Sequence, residues 1–185
     1  MIVIEKYNAA WPDEFELIRT ELEQILGPLA LRIDHIGSTS VPGLGAKDII
    51  DVQVTVSDLT NEMYNQLLTA GYTSSPHISD HVPKGMDPNP DLWRKQLVKE
   101  KPGDRPANIH IRIKGNPNQR YALLFRDYLR AHPKSAENIE LIKRELARYH
   151  PNDWDAYYDI KDPVYDLIWD AAQEWAKMTE WDQSH

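Results

Sequence analysis

At 185 residues, 41% apolar and 27% charged, the chain is long enough to bury a core without staples, and neither a disordered nor a fibrous class fits. A net charge of −8 argues against a general nucleic-acid-coating role, which needs a basic face, and favours a nucleotide or small phosphorylated molecule as partner. The absence of cysteine removes disulfides, thiolate metal sites and a cysteine nucleophile.

The opening MIVIEKYNAAW has neither a basic segment nor a long apolar run, so a cytoplasmic protein with no membrane partner is expected. Ile2 to Ile4 reads as a short strand or a packing arm. Pro12 predicts a helix start, Phe15, Ile18, Leu22, Ile25 and Leu26 recur at helical spacing, and Gly27-Pro28 stops the run. A short strand holding His35, either a buried histidine or a polar wall, leads into Gly37-Ser38-Thr39-Ser40. From Ile49 a second strand alternates Ile50, Val52, Val54 and Val56 on one face with Asp51, Gln53 and Thr55 on the other. A helix follows, capped at Asp58, with Met63, Leu67 and Leu68 in its stripe and Gly71 at its end. Pro76, Pro83, Pro88 and Pro90 predict a surface loop between Thr73 and Asp91. His77 and His81 in it have the spacing of a helical metal pair, but the prolines argue against the helix such a pair needs.

Trp93 to Val98 and Asn108 to Ile113, joined by KPGDRP, predict an antiparallel hairpin, with Asn108, His110 and Arg112 on one face of its second strand. Asn116-Pro117, with Gln119 placed for a capping box, opens a helix whose stripe is Tyr121, Leu124, Phe125, Tyr128 and Leu129. After His132-Pro133, Ser135 is expected to cap a helix carrying Ile139, Ile142 and Leu146. A last helix should begin at Asp162-Pro163, with Val164, Leu167, Ile168, Ala171 and Trp175 inward, and the residues after Met178 should fray. One domain over residues 1–185 is expected.

The chemistry concentrates between Ile33 and Val56. Small residues at Gly37-Ser38 let backbone amides and a hydroxyl converge on an anion. Fourteen positions on stands Asp51, with Gln53 two residues further on the same side. This is the layout of nucleotidyltransferase-fold enzymes, and HIGSTSVPGLGAKDIIDVQV resembles more closely the signature of the GrpB family, which is assigned to that superfamily and sometimes found appended to dephospho-CoA kinase. NIHIRI, FRDYLRAHP, LIKRELA and YYDIKDPVYDLI also resemble that family's landmarks. The resemblance implies an α/β (α+β-like) fold, with a nucleotidyltransferase-type mixed β-sheet, helices packed on one face and a C-terminal helical segment.

The resemblance also implies a magnesium-dependent transferase that moves a nucleoside monophosphate from a triphosphate to a small acceptor. Asp51 would hold Mg2+ on a rigid strand. Related folds place a second carboxylate where Gln53 stands. An amide oxygen can ligate magnesium without adding charge, so a non-catalytic module binding a nucleotide or a phosphometabolite of the coenzyme A pathway is the alternative. Gly37 and Ser38 would cradle phosphates. Lys47 could pair with a phosphate or be solvated, Arg112 suits a phosphate, and Lys161 in the Tyr158-to-Lys161 landmark could reach one. His110 could ligate metal, act as base, or hydrogen-bond phosphate. Arg126, Asp127 and Arg130 suit a tie between helix and sheet. The alternation places Ser38, Asp51, Gln53 and His110 in one cleft.

Overall fold

The computed structural model describes residues 1–183. Its centre is a five-stranded mixed sheet: β1 (Arg32–Ile36), β2 (Ile50–Val56), β3 (Thr73–Ser74), β4 (Gln96–Lys99) and β5 (Ala107–Ile113), in the order β1-β2-β5-β4-β3. β2 and β5 run parallel, and every other pairing is antiparallel, including the expected β4–β5 hairpin. Helices α1 (Trp11–Leu26) and α2 (Asn61–Thr69) cover one face. There Ile50, Val52, Val54 and Val56 meet Ile109 and Ile111 and pack against Trp11, Phe15, Leu22, Met63 and Leu67, all buried. Each such side chain contributes about 1.5–3 kcal/mol by leaving water.

The C-terminal helices α4 (Pro117–Ala131), α5 (Pro133–Tyr149) and α6 (Trp154–Met178) form a second core, with Leu124, Phe125, Leu129, Ile139, Trp169 and Ala172 around Val41 and Leu44. The FRDYLR segment ties α4 to the sheet. Arg126 donates to the His35 carbonyl at 3.2 Å and pairs with Asp34 and Asp127, while Arg130 donates to the Ser40 carbonyl at 2.8 Å. The polar face of β2 is covered at Gln53, which is 0% exposed, while Asp51 remains partly exposed. An N-terminal arm completes the packing: Ile2 donates its amide to the Pro151 carbonyl at 2.7 Å, Glu5 bridges to Ala46, and Ile2 and Ile4 pack with Leu146 and Tyr157.

Several local expectations are corrected. Trp93 belongs not to a strand but to the short helix α3 (Pro90–Trp93), because Asn89 accepts from the Asp91 amide and Pro90 fits a first turn. Thr60, not Asp58, caps α2, and α5 starts at Pro133 without a cap from Ser135. Gln119 accepts from the Gly115 amide rather than closing a capping box on Asn116. α6 begins at Trp154, where Asp153 accepts from the Ala156 amide at 2.9 Å, and it runs through Pro163. Its fully buried residues are Tyr157, Trp169, Ala172 and Ala176; Ile168 and Trp175 pack against the second core as expected, whereas Ala171 is exposed and Leu167 is 70% exposed. Beyond Met178, Trp181 is anchored by a 3.1 Å bond to Asp127; the last two residues of the segment expected to fray lie outside the described residues. No described helix is long and apolar enough to cross a membrane.

Candidate functional site

β1 and β2 pair with Ile36 opposite Asp51, so the turn leaving β1 folds directly onto the Asp51 carboxylate. Gly37 there has φ 68° and ψ −171°, a region that side chains avoid. A Cβ on it would stand 2.5 Å from Asp51 Oδ2, so glycine is required by the backbone and by the neighbouring acid alike. Ser38 to Ser40 form a single 3-10 turn, closed when the Ser40 hydroxyl donates to the Gly37 carbonyl at 2.6 Å. His35 faces the apolar side, stacked on Phe15 and bonded to Thr39 at 3.0 Å. Burial, joined by Arg130 and Arg126 against the opposing pull of Asp51, lowers its pKa to about 4, so it is a neutral structural residue.

Across the parallel β2–β5 pair, Asn108 stands opposite Asp51 and donates to its Oδ1 at 3.0 Å, while His110 stands opposite Gln53 with Nε2 3.7 Å from the same oxygen. Asp51 and His110 meet as expected, and Ser38 follows the glycine that abuts Asp51. Burial pushes the Asp51 carboxyl up, but His110, Asn108 and the Lys47 charge outweigh it and hold the group below the usual carboxylate value. For His110, burial leads, and Arg112 and Lys95 add to it against the pull of Asp51, so its pKa falls to about 4. Its Nδ1 faces Lys95 Nζ at 3.3 Å and Arg112 Nη2 at 3.4 Å. Ammonium and guanidinium can only donate, which assigns the lone pair to Nδ1 and the proton to Nε2, facing Asp51. His110 therefore presents a donor to the cleft. The base and metal-ligand roles would need a lone pair on that nitrogen.

Gln53 and Arg112 are placed differently from the sequence-based expectation. Gln53 lies beneath the cleft, its amide donating to the Gln119 carbonyl at 3.2 Å and its oxygen accepting from Arg112 at 2.8 Å, so the expected metal-facing oxygen is occupied. Arg112 is buried, with Nε and Nη2 forked onto the two oxygens of Asp80 at 2.8 and 2.9 Å. Asp80 also takes Lys95 at 2.6 Å and Asn118 at 3.1 Å. Burial opposes its ionisation, but Arg112 and Lys95 hold its carboxyl far below the ordinary value. Asp80 comes from the proline-rich loop, where a lone acid gives no sequence signal. In the same loop, His81 bonds to Asp166 at 2.9 Å.

On the opposite wall Lys143 reaches Ser38, and Lys161 and Lys47 lie near enough to act on its charge. Lys143 of α5 is 3% exposed and donates to Ser38 Oγ at 3.0 Å and to the Gly45 carbonyl at 2.6 Å. Burial is the main cause that brings its pKa down to about 7, with Lys161 and Lys47 assisting against Glu140 and Asp51. Glu140 accepts from the Gly45 amide at 2.6 Å, so α5 clamps the loop on both sides of that residue. Lys47 donates to the Tyr158 hydroxyl at 3.1 Å. Lys161 pairs with Asp162 at 2.9 Å and lies 4.0 Å from the centre of the Tyr165 ring. Sequence reasoning missed Lys143. The available signal was its place on the apolar stripe of α5, four residues after Ile139 and one after Ile142.

Among the described residues no group of three His, Cys, Asp or Glu can hold a metal unaided. The donor set does fit one magnesium shared with a ligand, because magnesium keeps several waters and needs only one or two carboxylates beside phosphate oxygens. Asp51 and the Ser38 hydroxyl are the groups present. With Gln53 occupied, the set does not fit two metals.

A family model described as "GrpB protein" matches residues 1–171. A dephospho-CoA kinase from Mycolicibacterium paratuberculosis is 37% identical over 186 residues, covering 92% of this chain and 46% of that protein. The chain thus spans about half the length of this relative. A crystal structure of the conserved protein GrpB from Enterococcus faecalis superposes with TM-score 0.74 at 31% identity, covering 94% of this chain and 99% of that one. The poly(U) polymerase Cid1, in its Mg 3'-dATP-bound structure, gives TM-score 0.51 at 12% identity over 89% of this chain and 49% of that one, a likeness of fold.

Proposed function

Since the chain belongs to the GrpB family, with a fold shared with a nucleotidyltransferase, we propose that its cleft binds the polyphosphate of a nucleotide or of a nucleotide-like phosphometabolite. The observation that carries this is Lys143 bonded to Ser38 beside the Gly37 turn, with Lys47 and Lys161 near enough to act on its charge, in a protein of net charge −8. Lys47 and Lys161, joined by Lys143 in its protonated form, make a local cationic pocket that a multiply charged anion would neutralise, and such an anion would favour the charged form of Lys143. Asp51 and Ser38 would hold one Mg2+ against the phosphates, and that ion supplies neutralisation of their charge. His110 donates toward Asp51, and Asn108 fixes the carboxylate plane. The relative named as a dephospho-CoA kinase brings phosphometabolites of that pathway into the ligand class.

Transfer of a nucleoside monophosphate to a small acceptor, with pyrophosphate leaving, is a second reading, favoured by the fold of the Mg 3'-dATP-bound neighbour. Binding without turnover is favoured by the occupied Gln53 oxygen. Calorimetry with nucleoside triphosphates, with and without magnesium, tests the shared core of both. Binding enhanced by magnesium in the wild type and indifferent to it in Asp51→Asn is expected. No binding of any triphosphate to the folded protein would refute the polyphosphate site. Pyrophosphate release in the presence of a metabolite mixture then separates turnover from retention.

A further inference from the structure

Tyr157 and Trp169 are buried, but Trp154 and Tyr158, on the first turns of α6, are 43% and 41% exposed. Their rings face one another at 6.3 Å and 27°, and buried Tyr157 stands edge-on to both, at 6.4 and 5.5 Å, which fixes the pair from behind. Lys47 Nζ lies 5.1 Å from the Trp154 ring centre and 5.3 Å from that of Tyr158. The same ammonium contributes to the field at Asp51 and at Lys143. The aromatic surface therefore starts where the lysine pocket ends, with Lys47 at the boundary. Pro163 interrupts the hydrogen bonding of α6 at a cost, and continuation of the helix upstream of it presents these rings.

We infer that Trp154 and Tyr158 form a stacking platform for a flat heterocycle joined to the polyphosphate on Ser38, Lys143 and Lys161, so that the ligand class is a whole nucleotide or nucleotide-like molecule. This rests on the polyphosphate reading given above. Lys47 has two partners available in such a complex, the ring faces and the phosphates, and links the two parts of the site. Stacking on an exposed aromatic face tolerates every base, because each has a π-face, so the platform confers affinity for a ring without selecting among bases.

The test uses the full chain, ATP and inorganic tripolyphosphate as magnesium complexes, and calorimetry. ATP is expected to bind about 10- to 100-fold more tightly than tripolyphosphate, in the range stacking supplies. Trp154→Ala should bring ATP down to the tripolyphosphate level while leaving tripolyphosphate affinity unchanged, which also shows that the variant is folded. Trp154→Phe should keep the preference, and GTP and UTP should bind within a few-fold of ATP. Equal affinity for ATP and tripolyphosphate in the wild type would overturn the platform and leave the anion site standing. Equal weakening of both ligands by Trp154→Ala would also overturn it, by showing that the rings serve only to place Lys47. If neither ligand binds, the polyphosphate reading fails and the platform with it.

Discussion

Replacing Lys143 with methionine isolates the energetic consequence of burying an ammonium beside the Gly37–Ser38 turn. The lysine is 3% exposed, and its burial leaves it titrating at about 7 in the folded chain against 10.5 for an ordinary lysine. Between those values the unfolded chain holds a proton that the folded chain has released, so stability rises with pH across that window and is lost as pH falls through 7. From pH 6 to pH 9 this one group should add about 2–3 kcal/mol to the wild type. Methionine fills a similar volume and does not titrate, but it leaves the Gly45 carbonyl unpaired at a cost of about 1–3 kcal/mol. The absolute offset between the two proteins is therefore less informative than its slope. Urea denaturation at half-unit pH intervals should show the wild type gaining on Lys143→Met by about 2–3 kcal/mol between pH 6 and 9. Parallel profiles would mean that Lys143 is charged throughout, and the account of its burial would be wrong.

Gly37→Ala combines a backbone region nearly closed to side chains with a Cβ 2.5 Å from Asp51 Oδ2, so it should destabilise by at least about 1–3 kcal/mol in a denaturant titration and weaken magnesium-dependent binding. An unchanged midpoint would show that the turn tolerates a side chain. Arg112→Lys keeps the charge but cannot fork onto Asp80 while also serving Gln53, and should cost about 2–4 kcal/mol; a loss under about 0.5 kcal/mol would show that the buried network is not held by the guanidinium.

The parts of the site readable from the sequence were those encoded by short-range periodicity. Alternation along β2 and β5 fixed which side chains share a face, and the Gly37–Ser38 pair marked the turn that folds onto Asp51. What was not readable depended on contacts between distant segments. Nothing local distinguishes Asp80, in a proline-rich loop, from a solvated acid, yet it claims Arg112 and thereby removes both Arg112 and Gln53 from the cleft surface. Lys143 looks like one more helix lysine until α5 is seen to press it against Ser38. The start of α6 was misplaced because Asp162-Pro163 carries a strong local start signal, which packing of Tyr157 and the upstream cap at Asp153 override.

The N-terminal arm has a bearing on how the chain reaches this state. Ile2 is held by Pro151, and Ile2 and Ile4 are covered by Leu146 and Tyr157. During synthesis this arm is made long before Leu146, Pro151 and Tyr157 exist for it to pack against. The parallel pairing of β2 with β5 imposes a similar delay on the sheet centre. The nascent chain thus carries an unpaired apolar arm that chaperones can hold, and closure of that arm is a late event that reports completion of the helical half.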